Sequence, residues 1–201
     1  MELYNKLSKE ERIKLIKEAG EKRFTLSFYK YRLIKNLNIF RNFLFVELNK
    51  LDVLGRIYVA SEGINAQLSL PSKNIDKLKD LIDDITFLNK VRLNIAVEHD
   101  DESFLKLKIK IRDKIVADGL KEFDYDLEKN GEHVDAEQFN SLLEDKNTIT
   151  VDMRNHYESE IGHFKGADLP DVDTFRESLP IINDKYKNQK TKKNILMYCT
   201  G

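Results

Sequence analysis

Between residues 24 and 97 the apolar spacing switches between the two-residue period of a strand and the 3.6-residue period of a helix, in an order that few folds accommodate. "FTLSFY" (24–29) is aromatic and β-prone, whereas "IFRNFLFVELNKL" (39–51) sets Phe40, Phe43, Leu44 and Leu48 at helical spacing. Gly55 opens "RIYVA" (56–60), and the turn "SEG" (61–63) leads into "INAQLSL" (64–70), which predicts a hairpin. Ser72 is expected to cap a helix with Ile75, Leu78, Leu81, Ile82 and Ile85 on one side, and "RLNIAV" (92–97) returns as a strand. The order is β-α-β-β-α-β, the split pattern of ferredoxin-like domains: an antiparallel sheet with two helices on one face. Upstream, Ser8 and Glu11 form a capping box, and Ile13, Leu15 and Ile16 make an apolar stripe closed by Gly20, so a first helix precedes the sheet.

Near residue 104 the pattern changes. "FLKLKIKIRDK" alternates without interruption, with Leu105, Leu107, Ile109 and Ile111 on one side and Lys106, Lys108, Lys110, Arg112 and Lys114 on the other. "DGLKEFDYDLEKNGEH" (118–133) reads as a linker. Beyond it Asp135 and Gln138 cap a helix at 136–143, "TITVD" (148–152) is a strand and "NHYESEIG" (155–162) a short helical turn. "DTFRESL" (173–179) is a helix ended by Pro180, and "NILMY" (194–198) is a strand. Strands separated by helical connections imply a parallel β/α arrangement. The expected organisation is a helix at 1–22, a ferredoxin-like domain at 23–100, a basic strand and linker at 101–131, and an α/β domain at 132–201.

Lys and Arg number 34 against 35 Asp and Glu, so no global field marks a polyanion or membrane partner and any anion site must be local. The charged N-terminal stretch does not read as a signal peptide, and no apolar run reaches membrane-spanning length, so a soluble cytoplasmic protein is expected. His99, His133, His156 and His163 are scattered and the single cysteine has no partner, which argues against structural zinc. There is no G-x-G-x-x-G and no P-loop, so neither a metal nor an organic cofactor is expected.

In a parallel sheet, ligands gather at the carboxyl ends of strands, where Asp152 and Cys199 both fall. A thiol there, followed by a loop and a helix N-terminus, would be stabilised as thiolate, with Thr200 and Gly201 the first residues of the cradle. By position alone Cys199 is either such a thiol or a small buried hydrophobe. Arg154 is placed to bind carboxylates such as Glu158 and order the loops, or to meet substrate. His163, between glycine and an aromatic, suits backbone hydrogen bonding more than proton transfer. Glu62 and Asn65 in "SEGIN" read as turn and hydrogen-bonding residues around Gly63.

"VDMRNHYESEIGHFKGA" (151–167) with "MYCTG" (197–201) resembles the rhodanese domain, in which a D-x-R segment, a downstream glutamate and a G-H-[IF]-x-G-A loop precede the strand that ends in the active-site cysteine. "SFYKY" (27–31), "GRIYVASEGINAQLSLP" (55–71), "KIKIRDKIVADG" (108–119) and "DTFRESLP" (173–180) extend the likeness, and the chain resembles the bacterial oxygen-dependent tRNA uridine hydroxylases over nearly its whole length. The resemblance implies an acylphosphatase-like (ferredoxin-like) domain joined to an α/β rhodanese-like domain. It implies oxygen-dependent conversion of wobble uridine to 5-hydroxyuridine, with molecular oxygen as co-substrate and the tRNA anticodon region as partner. It makes Cys199 the catalytic cysteine, Thr200 and Gly201 the start of its loop, and Asp152, Arg154, Glu158 and His163 the residues that order the loops around it. The active-site loop of such proteins continues beyond this point, so the rhodanese-like domain is expected to be incomplete here and the fragment inactive. "GADLP" (166–170) is one residue shorter between alanine and proline than rhodanese-like sequences, which predicts an altered loop after His163. For RNA, the candidates are Lys106, Lys108, Lys110, Arg112 and Lys114 against phosphates, and Tyr29 and Tyr31 beside Lys30 against an unpaired base. A persulfide-carrying sulfurtransferase and a non-catalytic RNA-binding module are the alternative readings.

Overall fold

The computed structural model describes residues 7–96, 104–120, 131–189 and 191–199. The chain divides into two units, Met1–Val116 and Ala117–Gly201.

In the first unit helix α1 (Lys9–Ala19) starts at the Ser8–Glu11 capping box: Ser8 Oγ accepts from Glu11 N at 3.1 Å, and Ser8 N donates to the Glu11 carboxylate at 2.7 Å. The elements that follow are β1 (Arg23–Tyr31), α2 (Leu37–Lys50), β2 (Leu54–Ala60), β3 (Gly63–Pro71), α3 (Ile75–Asp84), β4 (Asn94–Ile95) and β5 (Leu107–Ile111). The sheet order is β4-β1-β3-β2-β5, in which the first four strands pair antiparallel in the ferredoxin-like arrangement and β5 adds in parallel to β2. Strand alternation sends Leu26 and Phe28, Ile57 and Val59, Ile64, Ala66, Leu68 and Leu70, and Leu107 and Ile109 to one face. There they meet Leu44, Phe45 and Leu48 of α2 and Leu78 and Ile82 of α3 in one core.

Three expectations change. The strand at 107–111 is the fifth strand of this sheet, not a separate ribbon, so the unit extends to Val116 where the sequence suggested an end at 100. Its apolar side completes the core with Leu107 and Ile109, and main-chain bonds from Gly55 N to Lys106 O (3.1 Å) and from Arg112 N to Val59 O (2.9 Å) continue the pairing at both ends. Ser72 does not cap α3. It opens a single 3₁₀ turn, and Asn74, immediately before the helix, sends its amide to Leu51 O at 3.1 Å. The strand expected at 92–97 is shorter: Asn94 and Ile95 pair opposite Ser27 and Leu26, a bond from Ala96 N to Thr25 O (2.9 Å) continues the pairing by one step, and Val97 lies outside the described residues.

Two glycines permit the central pairing. A Cβ on Gly63 (φ 152°) would sit 2.1 Å from Lys30 O, and one on Gly55 (φ 150°) 2.2 Å from Gln67 O, so only glycine lets β3 close on its neighbours there. The buried Glu62 beside Gly63 accepts from Ile115 N at 2.8 Å, and Asn65 donates to Ile115 O at 3.3 Å, so the hairpin grips one residue by both main-chain polar groups.

The second unit contains α4 (Ala136–Glu144), β6 (Thr148–Asp152), α5 (His156–Ile161), α6 (Phe175–Tyr186) and β7 (Asn194–Tyr198). Asp135 and Gln138 form the capping box of α4. Helix α6 runs through Pro180 instead of ending before it. Phe175, Leu179, Ile182 and Tyr186 share a face at helical spacing and form a small core with Val151, Met153, Ile149 and Ile195, and this burial outweighs a proline cost of about 3 kcal/mol. Within the linker expected at 118–133, residues 121–130 lie outside the described residues.

Gly63→Ala should destabilise the first unit by more than about 3 kcal/mol, because the clash is with main chain of the adjacent strand and cannot be relieved by a rotamer change. Urea denaturation followed by far-ultraviolet circular dichroism tests this; a midpoint equal to the parent's would show that the β1–β3 pairing tolerates a Cβ at this position.

Candidate active site

Strands β6 and β7 run parallel, with Thr148 opposite Asn194 and Asp152 opposite Tyr198, so Asp152 and the residue after Tyr198, Cys199, leave the same end of the pair. A bond from Met153 N to Tyr198 O (2.8 Å) extends the ladder one step, and Cys199 Sγ lies 3.8 Å from Met153 O. Cys199 is exposed. Thr200 and Gly201 lie outside the described residues.

Asp152 is the centre of the polar network. Its side chain is 1% exposed and accepts from Arg154 N (3.0 Å), from Arg154 Nε and a terminal guanidinium nitrogen (3.0 and 2.7 Å), and from the Tyr198 hydroxyl (2.8 Å). Arg154 also donates to Gly162 O at 2.6 Å and lies 5.3 Å over the Tyr198 ring. The carboxylate held in this fork is Asp152, two residues back in the chain. Glu158, the carboxylate suggested by the sequence, accepts from Asn155 N at 3.2 Å and caps α5. His163 Nδ1 faces Ser159 O at 2.9 Å, which makes Nδ1 the protonated nitrogen. Burial would raise the Asp152 pKa, but hydrogen bonds from Arg154 and Tyr198 outweigh it and hold the carboxyl below its ordinary range. The same geometry, with burial first and the bond to Asp152 second, pushes the Tyr198 phenol up.

Two further residues were not singled out from sequence. Tyr198 joins both loops: its hydroxyl accepts from Phe164 N at 3.3 Å, and its ring packs edge-on against Phe164 with centroids 4.9 Å apart, while Phe139 of α4 lies 5.0 Å from Phe164. Its place in register with Asp152 was the available signal. Asp168 bridges to Val151 beside β6, with Asp152 N donating to Asp168 O at 2.9 Å and Asp168 N to Thr150 O at 2.8 Å. Its carboxylate accepts from Lys185 (2.7 Å) and from the Tyr186 hydroxyl of α6. The shortened "GADLP" segment therefore turns at Gly166 (φ 79°), with Ala167 N bonded to Phe164 O at 3.0 Å, and re-enters the sheet.

In the first unit the structure divides the basic ribbon. Lys108 and Lys110 are exposed on β5, and Arg112 is exposed just beyond it, 5.6 Å over the Tyr58 ring. Lys106 is half-buried before the strand begins, and Lys114 lies 3.8 Å from the buried Glu62 carboxylate, so neither joins the exposed row. Tyr29 and Tyr31 share a face, with rings 6.3 Å apart, but Lys30 alternates to the other side of β1. Among the described residues no cluster of three His, Cys, Asp or Glu could hold a metal ion, and no helix is long and apolar enough to cross a membrane.

Residues 23–115 match the family model of the UPF0176 acylphosphatase like domain. The chain is 50% identical, over 99% of its length and 54% of the relative's, to the tRNA uridine(34) hydroxylase of Leptospira interrogans. It is 46% identical to that of Photorhabdus laumondii over 99% of this chain and 56% of the relative. To that of Yersinia enterocolitica it is 45% identical over 99% of this chain and 57% of the relative. The chain thus spans about half the length of the curated relatives it matches.

Asp152→Asn preserves shape but removes the counter-charge of Arg154. It should destabilise the second unit by about 2 kcal/mol, less than for a fully buried pair because the Arg154 side chain is 19% exposed. Tyr198→Phe should cost about 1 kcal/mol. Since the folded-state pKa of Asp152 lies below its unfolded value, its contribution is complete above the unfolded pKa of about 4 and is lost as pH falls through the depressed folded value. Asp168, depressed by Lys185 and Tyr186 against its own burial, behaves likewise. Amide exchange at Val151 and Leu196, compared at neutral and acid pH, should show a smaller acid-induced loss of protection in Asp152→Asn than in the parent. An equal loss in both would remove Asp152 from the acid response.

Proposed function

We propose that the chain belongs with the tRNA uridine(34) hydroxylases and serves in tRNA uridine hydroxylation, as the oxygen-dependent conversion of wobble uridine to 5-hydroxyuridine, with Cys199 as its essential thiol. Identity of 45–50% over 99% of the chain to proteins of that name carries this reading. The second unit is assigned as rhodanese-like on its motif: the parallel strands β6 and β7 carry Asp152 and Cys199 at one end, and the D-x-R pair of Asp152 and Arg154 ties the loop at Gly162 to the strand terminus.

Within this reading Asp152, Arg154, Glu158 and His163 are positioning residues. Arg154 has its guanidinium committed to Asp152 and to Gly162 O, which suits holding the loop more than meeting substrate. His163 and Glu158 satisfy main-chain groups at the two ends of α5. Cys199 is the reactive group, with Thr200 and Gly201 continuing its loop. Molecular oxygen is the co-substrate, the tRNA anticodon region is the partner, the setting is cytoplasmic, and no resident cofactor is assigned.

Nucleoside mass spectrometry of tRNA from cells lacking the gene for this chain tests the proposal. Loss of 5-hydroxyuridine on deletion, recovery with the parent gene and no recovery with Cys199→Ser is the expected outcome. Recovery to the parental level with Cys199→Ser would overturn the assignment of the thiol, and undiminished 5-hydroxyuridine after deletion would overturn the activity.

A further inference from the structure

The sheet face turned away from α2 and α3 carries an ordered array of side chains. Cross-strand register sets them in rows. One row runs Asn94, Ser27, Gln67, Arg56, Lys108 from β4 to β5; the next runs Tyr29, Asn65, Tyr58, Lys110 from β1 to β5. Arg112 extends the second row, with its guanidinium 5.6 Å from the Tyr58 ring. Tyr29 is 39% exposed, and Arg56, Gln67, Lys108, Lys110 and Arg112 are exposed. None of the five strands contains an Asp or Glu, although the chain as a whole has 35 acidic residues. An open recess of about 310 Å³ adjoins the first row, lined in part by Thr25, Ser27, Gln67, Asn94 and Phe104.

From this arrangement we infer that the open sheet face of the first unit binds single-stranded RNA, with Tyr29 and Tyr58 as stacking platforms and Arg56, Lys108, Lys110 and Arg112 as phosphate ligands. Two strand spacings of about 4.8 Å separate the tyrosines, so the rings stand roughly 10 Å apart, and the Asn65 side chain between them is bonded to Ile115 O at 3.3 Å, which brings the segment after β5 against this part of the face. Aromatic faces accept any unpaired base, and cations at one end of each row give the backbone a direction across the sheet. Duplex RNA keeps its bases stacked on one another and offers nothing for Tyr29 to take up. The Arg112 guanidinium lies 5.6 Å over the half-buried Tyr58 ring, so at this position a base would stack on the guanidinium plane or on the ring face that Arg112 leaves uncovered. The inference deepens the proposed tRNA activity by assigning the surface that engages an unpaired RNA segment, and it rests on that reading for the identity of the RNA.

Fluorescence anisotropy of the whole chain with a labelled, unstructured oligouridine tests it, with a duplex of equal phosphate number and polyglutamate as comparison ligands. The parent should bind the single strand at least tenfold more tightly than either. Tyr29→Ala and Tyr58→Ala should each weaken single-strand binding about tenfold without changing its salt dependence, while Tyr58→Phe retains the parental affinity. Arg56→Gln with Lys108→Gln should lower the slope of log affinity against log salt by about 0.7 for each phosphate that is no longer neutralised. Parental affinity in Tyr29→Ala and in the Arg56→Gln, Lys108→Gln variant would overturn the inference, as would equal binding of duplex or of polyglutamate. Because these assays do not involve Cys199, they separate the two readings: absence of 5-hydroxyuridine formation with intact, tyrosine-dependent RNA binding would refute the activity and leave the surface standing.

Discussion

The first unit depends on the hold that Glu62 and Asn65 have on Ile115. A buried carboxylate and a half-buried amide, separated in the chain by Gly63 and Ile64, would be costly if left unmatched. The N–H and C=O of one residue serve both, and Lys114 lies 3.8 Å from the same carboxylate. That residue lies just beyond β5, so the bond that relieves the hairpin also determines where the fifth strand ends. Parallel addition of β5 to β2 in turn places Lys108 beside Arg56 and Lys110 beside Tyr58.

The second unit solves a similar problem differently. Asp152 ends a buried strand in a place that water does not reach, and donors from the following loop and the neighbouring strand surround it. One consequence is that Arg154 and Tyr198 are held at fixed positions beside the Cys199 end of β7, and a loop bonded through Gly162 and Phe164 comes with them. Asp168 repeats the device on the other side of β6, coupling the loop to α6 through Lys185 and Tyr186. In this unit carboxylates at strand edges, more than its small apolar core, specify how loops attach to the sheet.

Elements whose identity rests on local period were legible in the sequence. The strand–helix–strand–strand–helix–strand order, the capping boxes at Ser8 and Asp135, and strands 148–152 and 194–198 all stand where the spacing puts them. What depended on non-local pairing was not. Nothing in "FLKLKIKIRDK" says which sheet it joins, because an alternating segment fits any edge with a free ladder; only the partner β2, about fifty residues earlier, decides it. Pro180 misled for the opposite reason, since a local breaker was overridden by the burial of Ile182 and Tyr186. At the candidate site, Asp152, Arg154 and Cys199 were visible as a motif. Tyr198 and Asp168 were not, because their roles come from register and from a bridge that no spacing announces.

The short length of β4 bears on how this sheet behaves in a crowded cell. A five-stranded sheet has two open edges, each a template on which another chain can add a strand. At one edge, among the described residues, β4 pairs over Asn94 and Ile95 with one further bond from Ala96 N, too few residues to seed a stable addition. At the other, β5 is five residues long, bears lysine at alternate positions, and has the carbonyl of Ile109 contacted by Arg41 of α2 at 3.4 Å. Both edges are therefore poor seeds for fibre growth. A broad, solvent-facing β-surface can resist edge-to-edge association on these terms, because its width is limited at the sides while its face remains open.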